Sequence, residues 1–475
     1  MFLAALEATA VATAMPTAVA DLGGMERYSW VFSAYLLTST TTVPLFGKLA
    51  DLYGRLRIYL VCMVVFLLGS ALSGLAPEFG WLILARALQG IGAGGVMPVS
   101  VTLIGDIFTL EERGRMQGVF SGVWGVSSLI GPAVGGFITD TFSWRYVFFL
   151  AIPFGTISAI MLKVYLKEEQ ARRQHKLDLV GTALLTISIA LVLIAILEGS
   201  EVWGWSSPLP YLLMGIAVLS FFAFLFQERR APEPMLPLDL FDNRVIAVSC
   251  AGSVIIGTLL FTLTAFVPMF AQGVLGGSAA ESGAPLIALS LGWPIASAVA
   301  GRLMIRVGYR PLVLPGAALG FAGTLMFGFA GIGTSLLYIM ASMVLIGVGM
   351  GLLSTPYLVS LQNAVPWNRR GVVTSLGQFS RTIGGAIGVA AFGAVLNASL
   401  HARVGKGANS NAILDPALRA ALSPDELTAL REGLASGLHA VFLACAALAF
   451  VGIFIALMFP AGSAQEHAHQ AERAA

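Results

Sequence analysis

Long apolar runs alternate with short polar breaks from one end of this chain to the other. A helix that crosses a hydrocarbon core needs about 20 mostly apolar residues. On that spacing the chain predicts fourteen spanning helices, near 1–20, 28–47, 57–76, 79–105, 115–139, 144–166, 178–198, 208–227, 245–272, 283–305, 311–331, 334–359, 371–397 and 434–459. The predicted fold class is an all-α membrane protein. Residues 1–20 read as a retained helix, because Met1 opens directly into apolar sequence with no basic stretch, and no A-x-A cleavage site gives way to a soluble domain. The missing polar lead-in predicts a true start slightly upstream of Met1. The longest polar segment is 398–433, where Asp415-Pro416 and Ser423-Pro424-Asp425-Glu426 resemble helix starts and predict one or two short surface helices.

Composition leads to the same class. The chain is 57% hydrophobic and 11% charged, against roughly 25% charged in soluble domains. A bilayer is therefore the expected solvent. The net charge of +2, with no dense basic run, excludes a nucleic-acid partner. Cys62, Cys250 and Cys445 lie in separate apolar runs without a CxxC pair, and read as core residues. His175, His401, His439, His467 and His469 show neither metal-ligand spacing nor a nucleophile–base arrangement, so no metal site and no membrane enzyme is expected. No G-x-x-x-x-G-K-[ST] loop is present, so no ATP-driven step is expected.

Charge placement sets the orientation. Nineteen Lys and Arg fall on one set of loops, six on the other, and two, Arg86 and Arg381, inside helices, accounting for all 27. By the positive-inside rule both termini face the cytoplasm.

The sequence also repeats. Gly47, Leu49 and Gly54 recur as Gly301, Leu303 and Gly308, an offset of 254. Gly90, Gly92, Gly94, Arg113 and Gly114 recur as Gly347, Gly349, Gly351, Arg370 and Gly371, an offset of 257. Two six-helix halves account for twelve spans, and segments 178–198 and 208–227 form a two-helix insert. The predicted organisation is a first half over 1–166, a linker over 167–177, the insert over 178–230, a second half over 231–463 and a tail over 464–475. Parallel halves with substrate held between them are a recurring transporter plan.

Four strings carry a family resemblance. The charged stretch Gly47 to Arg57, with Asp51, Gly54 and Arg55, resembles the loop 2–3 signature of the major facilitator superfamily. Leu84-Ala85-Arg86-Ala87-Leu88-Gln89-Gly90-Ile91-Gly92 resembles its intramembrane arginine motif. Gly131-Pro132-Ala133-Val134-Gly135-Gly136 resembles the motif of its antiporters. Leu6-Glu7-Ala8-Thr9-Ala10-Val11, ending at Pro16, resembles the helix 1 motif of its fourteen-helix drug:proton antiporter branch, with Glu7 where that branch usually has Asp. The resemblance implies the major facilitator fold and proton-coupled export of amphipathic, cationic compounds by alternating access. It implies no cofactor beyond the proton gradient, a bacterial cytoplasmic membrane and a monomer. A same-fold transporter of one defined metabolite is the alternative. A non-transporting sensor is another, disfavoured because no segment is long enough for a soluble signalling domain.

Glu7 is the carboxylate set well inside an apolar run, whereas Asp106, Asp178 and Glu198 sit at helix ends. An ionised group at that depth is costly and faces a cavity or a partner. A proton and a cationic substrate would compete for it, each weakening the other's binding, which is the linkage antiport requires. A protonated structural glutamate is the alternative. Arg86, two turns into helix 4, cannot deprotonate and must find a carboxylate, carbonyls or water. It either tunes Glu7 or anchors structure. Arg381 poses the same question in the second half, with snorkelling as a competitor.

The other motif residues have mechanical readings. Gly47 and Gly54 bracket Asp51 and predict a tight turn. Asp51 reads as a gate that meets a helix N-terminus. The resemblance points to the helix starting near Arg370, with Arg55 and Arg113 completing the charge cluster. Gly131, Gly135 and Gly136 predict close approach of another helix, and Pro132 a bend. Tyr35, Gln89, Trp124 and Arg381 are candidate cavity residues. The two aromatics would stack on a cation, worth about 0.5–2 kcal/mol each, or serve only in packing.

Overall fold

The computed structural model describes residues 2–107, 123, 126–127, 130–166, 178–201, 203–231, 234, 236, 238–365, 369–404, 414 and 423–460. Among these residues every regular element is helical. The helices are α1 (Phe2–Leu22), α2 (Tyr28–Tyr53), α3 (Arg55–Gly74), α4 (Phe79–Ile107), α5 (130–141), α6 (Arg145–Phe149), α7 (Ala151–Tyr165), α8 (Leu179–Glu201) and α9 (Pro208–Glu228). They continue as α10 (Arg244–Met269), α11 (Ala279–Val307), α12 (Arg310–Gly328), α13 (Leu336–Asn363), α14 (Arg370–Val404) and α15 (Pro424–Leu457). Eleven described spans are long and apolar enough to cross a membrane, each coinciding with one predicted segment. The three predicted segments outside that set are α1, α2 and 115–139. In α2 the run Thr38-Ser39-Thr40-Thr41-Thr42 dilutes the apolar character.

The chain divides into two units. The first holds Met1–Leu236 with Ser278–Glu281 and Asn409–Ser423, and the second holds Pro237–Gly277, Ser282–Ala408 and Pro424–Ala475. In the first, the faces of α3 and α4 close a core of Tyr59, Cys62, Phe66, Val96 and Val99. In the second, Val248, Val313, Tyr357 and Ala456 do the same across α10, α12, α13 and α15.

Alternate glycines explain why the helices pack so tightly. A methyl group added at Gly90 or Gly94 would overlap α2 at the Tyr35 or Ser39 carbonyl, and one at Gly92 would overlap α3 at Phe66. In the second unit Gly347 and Gly351 face α11 at the Leu289 and Trp293 carbonyls, while Gly349 faces α12 at Gly316 and Gly320. Small residues admit backbone-to-backbone contact where no hydrophobic driving force separates helix from lipid. Thr38 adds a hydroxyl bond from α2 to the Ala87 carbonyl at 2.8 Å.

The insert packs on α2 of the first unit. Its helices exchange reciprocal bonds, Ser188 to the Ala217 carbonyl at 2.9 Å and Ser220 to the Leu184 carbonyl at 2.8 Å. Trp30 of α2 donates to Glu198 of α8 at 2.9 Å.

Two sequence expectations are corrected. Gly47 lies inside α2, with open space where a side chain would go, and makes no turn. The turn belongs to Gly54 alone, at φ 96, and its repeat partner Gly308 has φ 82; a side chain at either position would be strained. The segment 398–433 is also less of a loop than its polarity suggests. Helix α14 continues to Val404, and Ser423-Pro424 starts α15 itself, not a separate surface helix. Ionisable residues carry the ends of both helices beyond the apolar stretch. Asp415-Pro416 lies outside the described residues.

Candidate functional site

Glu7 and Arg86 meet. The glycines of α5 are what bring α1 into place: a methyl at Gly131 would overlap the Thr9 hydroxyl and press on the Leu6 carbonyl at 3.0 Å, and one at Gly135 would press on the Ala10 carbonyl. The turn of α1 pinned this way is the turn that carries Glu7. From α4, Arg86 Nη1 donates to Glu7 Oε1 at 2.7 Å, with both side chains 3% exposed. The same Nη1 donates to Gln89 Oε1 at 2.6 Å, one helical turn along α4. The Tyr35 ring of α2 lies against the guanidinium, 4.1 Å from Cζ to the ring centroid, and Phe148 of α6 flanks it at 5.9 Å.

The cluster is not fully satisfied. Glu7 Oε2, Arg86 Nε and Gln89 Nε2 are buried without a hydrogen-bond partner. Buried polar groups are ordinarily paired, so one acceptor and two donors remain open at a single place. An ion pair in a dry interior gains little net stability, whereas removing one partner strands a charge. The arrangement is suited to exchanging partners.

The remaining motif residues are elsewhere. Gly136 turns away from α1 and presses on Ala279 and Ala280, whose N–H groups donate to Asp140 at 3.0 and 2.8 Å within the first unit. Pro132 is buried in α5. Asp51 sits in the last turn of α2, its side chain outside the description, and Arg55 opens α3. Arg113 and Trp124 lie outside the described residues. In the second unit, Arg381 of α14 donates to Gln378 at 2.8 Å, leaves Nε unpaired and has no ion-pair partner among the described residues. Its carbonyl is covered by Gly257 of α10.

Sequence reasoning missed three features. Phe148 joins the arginine cluster from a segment that read only as apolar. Asp21, at the C-terminal end of α1, accepts from the Trp144 indole at 3.0 Å and from Arg145, which also donates to the Ala76 carbonyl at 3.3 Å. These groups hold the Asp21 carboxyl below the usual carboxylate range, the Arg145 hydrogen bond first. Glu228, buried at the end of α9, accepts from the Leu236 N–H at 3.2 Å. The charges at 21 and 145 were visible in the sequence as flanking charges, but nothing in spacing paired them.

Comparison with known proteins decides the family. The model of the Major Facilitator Superfamily matches residues 1–389. The chain belongs to that superfamily. It is 38% identical over 398 residues to multidrug transporter protein MdtP of Bacillus subtilis (strain 168), covering 84% of this chain and 74% of that one. Multidrug resistance protein 3 of the same organism is 34% identical, covering 83% of this chain and 77% of the relative. Among solved structures, a bacterial homolog of the human lysosomal transporter Spinster, in an inward-facing and unoccupied conformation, aligns with a TM-score of 0.67 at 16% identity, over 97% of this chain and 96% of that one. That likeness is one of fold. This superfamily member is a multi-pass membrane transporter of small molecules, not an enzyme.

Proposed function

We propose that this transporter is a proton-coupled antiporter of the fourteen-helix drug:proton branch, exporting amphipathic, cationic compounds across the bacterial cytoplasmic membrane by alternating access. The observation that carries the reading is the buried Glu7–Arg86 pair with its open carboxylate oxygen. Glu7 is the proton site. A cation arriving at the cluster competes with Arg86 and with the proton for the same carboxylate, so the two ligands expel one another. Arg86 keeps the site polar between exchanges. The names of the Bacillus relatives support drugs as the substrate class.

Other residues take supporting roles in this reading. Gly131, Pro132, Gly135 and Gly136 seal α5 against its neighbours and limit leak. Asp51, with Arg55 and Arg113, gates the cytoplasmic end, and Arg381 marks the second half of the cavity. Both termini are cytoplasmic, the domain limits are those read from the repeat, and the working unit is a monomer driven by the proton gradient without a cofactor.

Transport in proteoliposomes with an acidic interior tests it. A fluorescent lipophilic cation is expected to accumulate only while the gradient lasts. Glu7→Gln abolishes that coupling and leaves the protein folded, whereas Asp51→Asn slows turnover but preserves binding. Gradient-driven accumulation in Glu7→Gln would move the proton site elsewhere. Accumulation of no cation at all would favour a single-metabolite transporter.

A further inference from the structure

Arg86 is gripped from several directions, and only one of the grips depends on an opposite charge. If Glu7 is the proton site, as proposed above and on which this inference rests, it must lose its charge once per cycle. At that moment Arg86 has no counter-charge among the described residues, and a buried guanidinium without a partner is strongly unfavourable. We propose that Tyr35, assisted by Gln89, holds Arg86 in register while Glu7 is protonated, so that Tyr35 is a positioning residue for the proton site and not a substrate contact.

Geometry and chemistry support this assignment. The electron-rich face of a tyrosine ring attracts a guanidinium whatever the state of a nearby carboxyl, and the ring centroid is 4.1 Å from Arg86 Cζ. Gln89, fully buried, offers a neutral acceptor at 2.6 Å. Tyr35 is itself fixed, because Thr38 one turn on donates to the Ala87 carbonyl at 2.8 Å beside Arg86. The charges that act on the Tyr35 hydroxyl are Glu7 from α1 and Arg86 from α4. From α5 the neighbouring motif residue is Gly131, and from α6 it is Phe148, while Arg145 is engaged by Asp21.

The repeat supplies an independent argument. Gly347 faces the Leu289 carbonyl as Gly90 faces that of Tyr35, so Leu289 occupies the Tyr35 position, and the same register puts Met343 at Arg86 and Ile346 at Gln89. The packing glycines are kept in the half where methionine replaces this arginine, yet the aromatic ring and the amide are gone. Packing at this helix crossing therefore does not need a tyrosine. The arginine does.

The test is an infrared titration of the full-length protein in lipid, reading the protonated carboxyl band that Glu7→Gln removes. Tyr35→Phe, which keeps the ring face, is expected to titrate with the wild-type midpoint. Tyr35→Leu is expected to shift the midpoint by about one pH unit, a tenfold change in proton affinity, and Gln89→Leu to shift it by less. Tyr35→Met, closer to tyrosine in length, repeats the leucine measurement should that variant fail to fold. An unshifted midpoint in the leucine or methionine variant overturns the proposal. So does an equal shift in Tyr35→Phe, which would assign the effect to the hydroxyl. Weakened binding of tetraphenylphosphonium at every pH with an unchanged midpoint would make Tyr35 a substrate contact and overturn it too. Absence of any Glu7 band that titrates would instead overturn the proton-site reading itself.

Discussion

The two halves of this transporter share a packing scheme and differ in what the scheme encloses. In both, a glycine-lined helix (α4 or α13) slots between two neighbours, and a second glycine pair locks the fifth helix of the half onto the first. Gly384 meets the Val254 carbonyl of α10 as Gly131 meets that of Leu6, which sets Ile255 in the place of Glu7. With Met343, Ile346 and Leu289 at the other three positions, the second half has an apolar site where the first has a charged one. Ile255 and Ile346 line a narrow apolar cavity there, with Gly320 and Tyr357. Glycine contacts build the scaffold in both halves, while the polar cluster belongs to the first alone. Position in a repeat therefore predicts backbone contacts far better than it predicts chemistry.

The most severe way to break the contrast is to install the second half's residue in the first. Arg86→Met is expected to abolish coupled transport and to lower stability by about 3–5 kcal/mol, because it strands a buried carboxylate. The double variant Glu7→Ile/Arg86→Met should regain most of that stability, since an apolar replacement of a buried pair is often neutral or better, while transport stays absent. Thermal melting beside proteoliposome flux reads both. A double variant no more stable than the single one would show that the two charges are not coupled.

A second comparison tests the shared scaffold. Gly90→Ala and Gly347→Ala are each expected to cost about 1–3 kcal/mol through overpacking against a neighbouring backbone. Their melting temperatures should fall by similar amounts. Gly47→Ala, which meets only open space, should stay within about 0.5 kcal/mol of wild type. Unequal losses at Gly90 and Gly347 would mean that the halves do not share one packing scheme.

The smallest effect concerns the end of α1. Because Arg145 and Trp144 hold the Asp21 carboxyl below its ordinary range, the stability they contribute is complete above that range. It is lost as pH falls through the lowered value. Asp21→Asn should flatten the acid limb of a melting-temperature profile and leave neutral pH little changed, since the pair is half exposed and solvent screens it. An acid limb identical in Asp21→Asn would assign that loss to other carboxylates.

By itself the sequence determined the membrane class, the positions of eleven spans, the repeat and the family motifs. Each is a property of local hydropathy, which a bilayer enforces along the chain, or of residue order. It also singled out Glu7 and Arg86, because an ionisable side chain within an apolar run is conspicuous wherever it ends up. Only the tertiary structure decided that the two meet, that Tyr35 and Gln89 grip the arginine, that Phe148 and the Asp21–Arg145 pair exist as contacts, and that Gly47 makes no turn. Gly47 makes no turn because α2 runs on to Tyr53; the contacts depend on how each helix is rotated about its own axis. Glycine-to-carbonyl contacts between helices far apart in sequence set that rotation, and no periodicity within a single helix reports it.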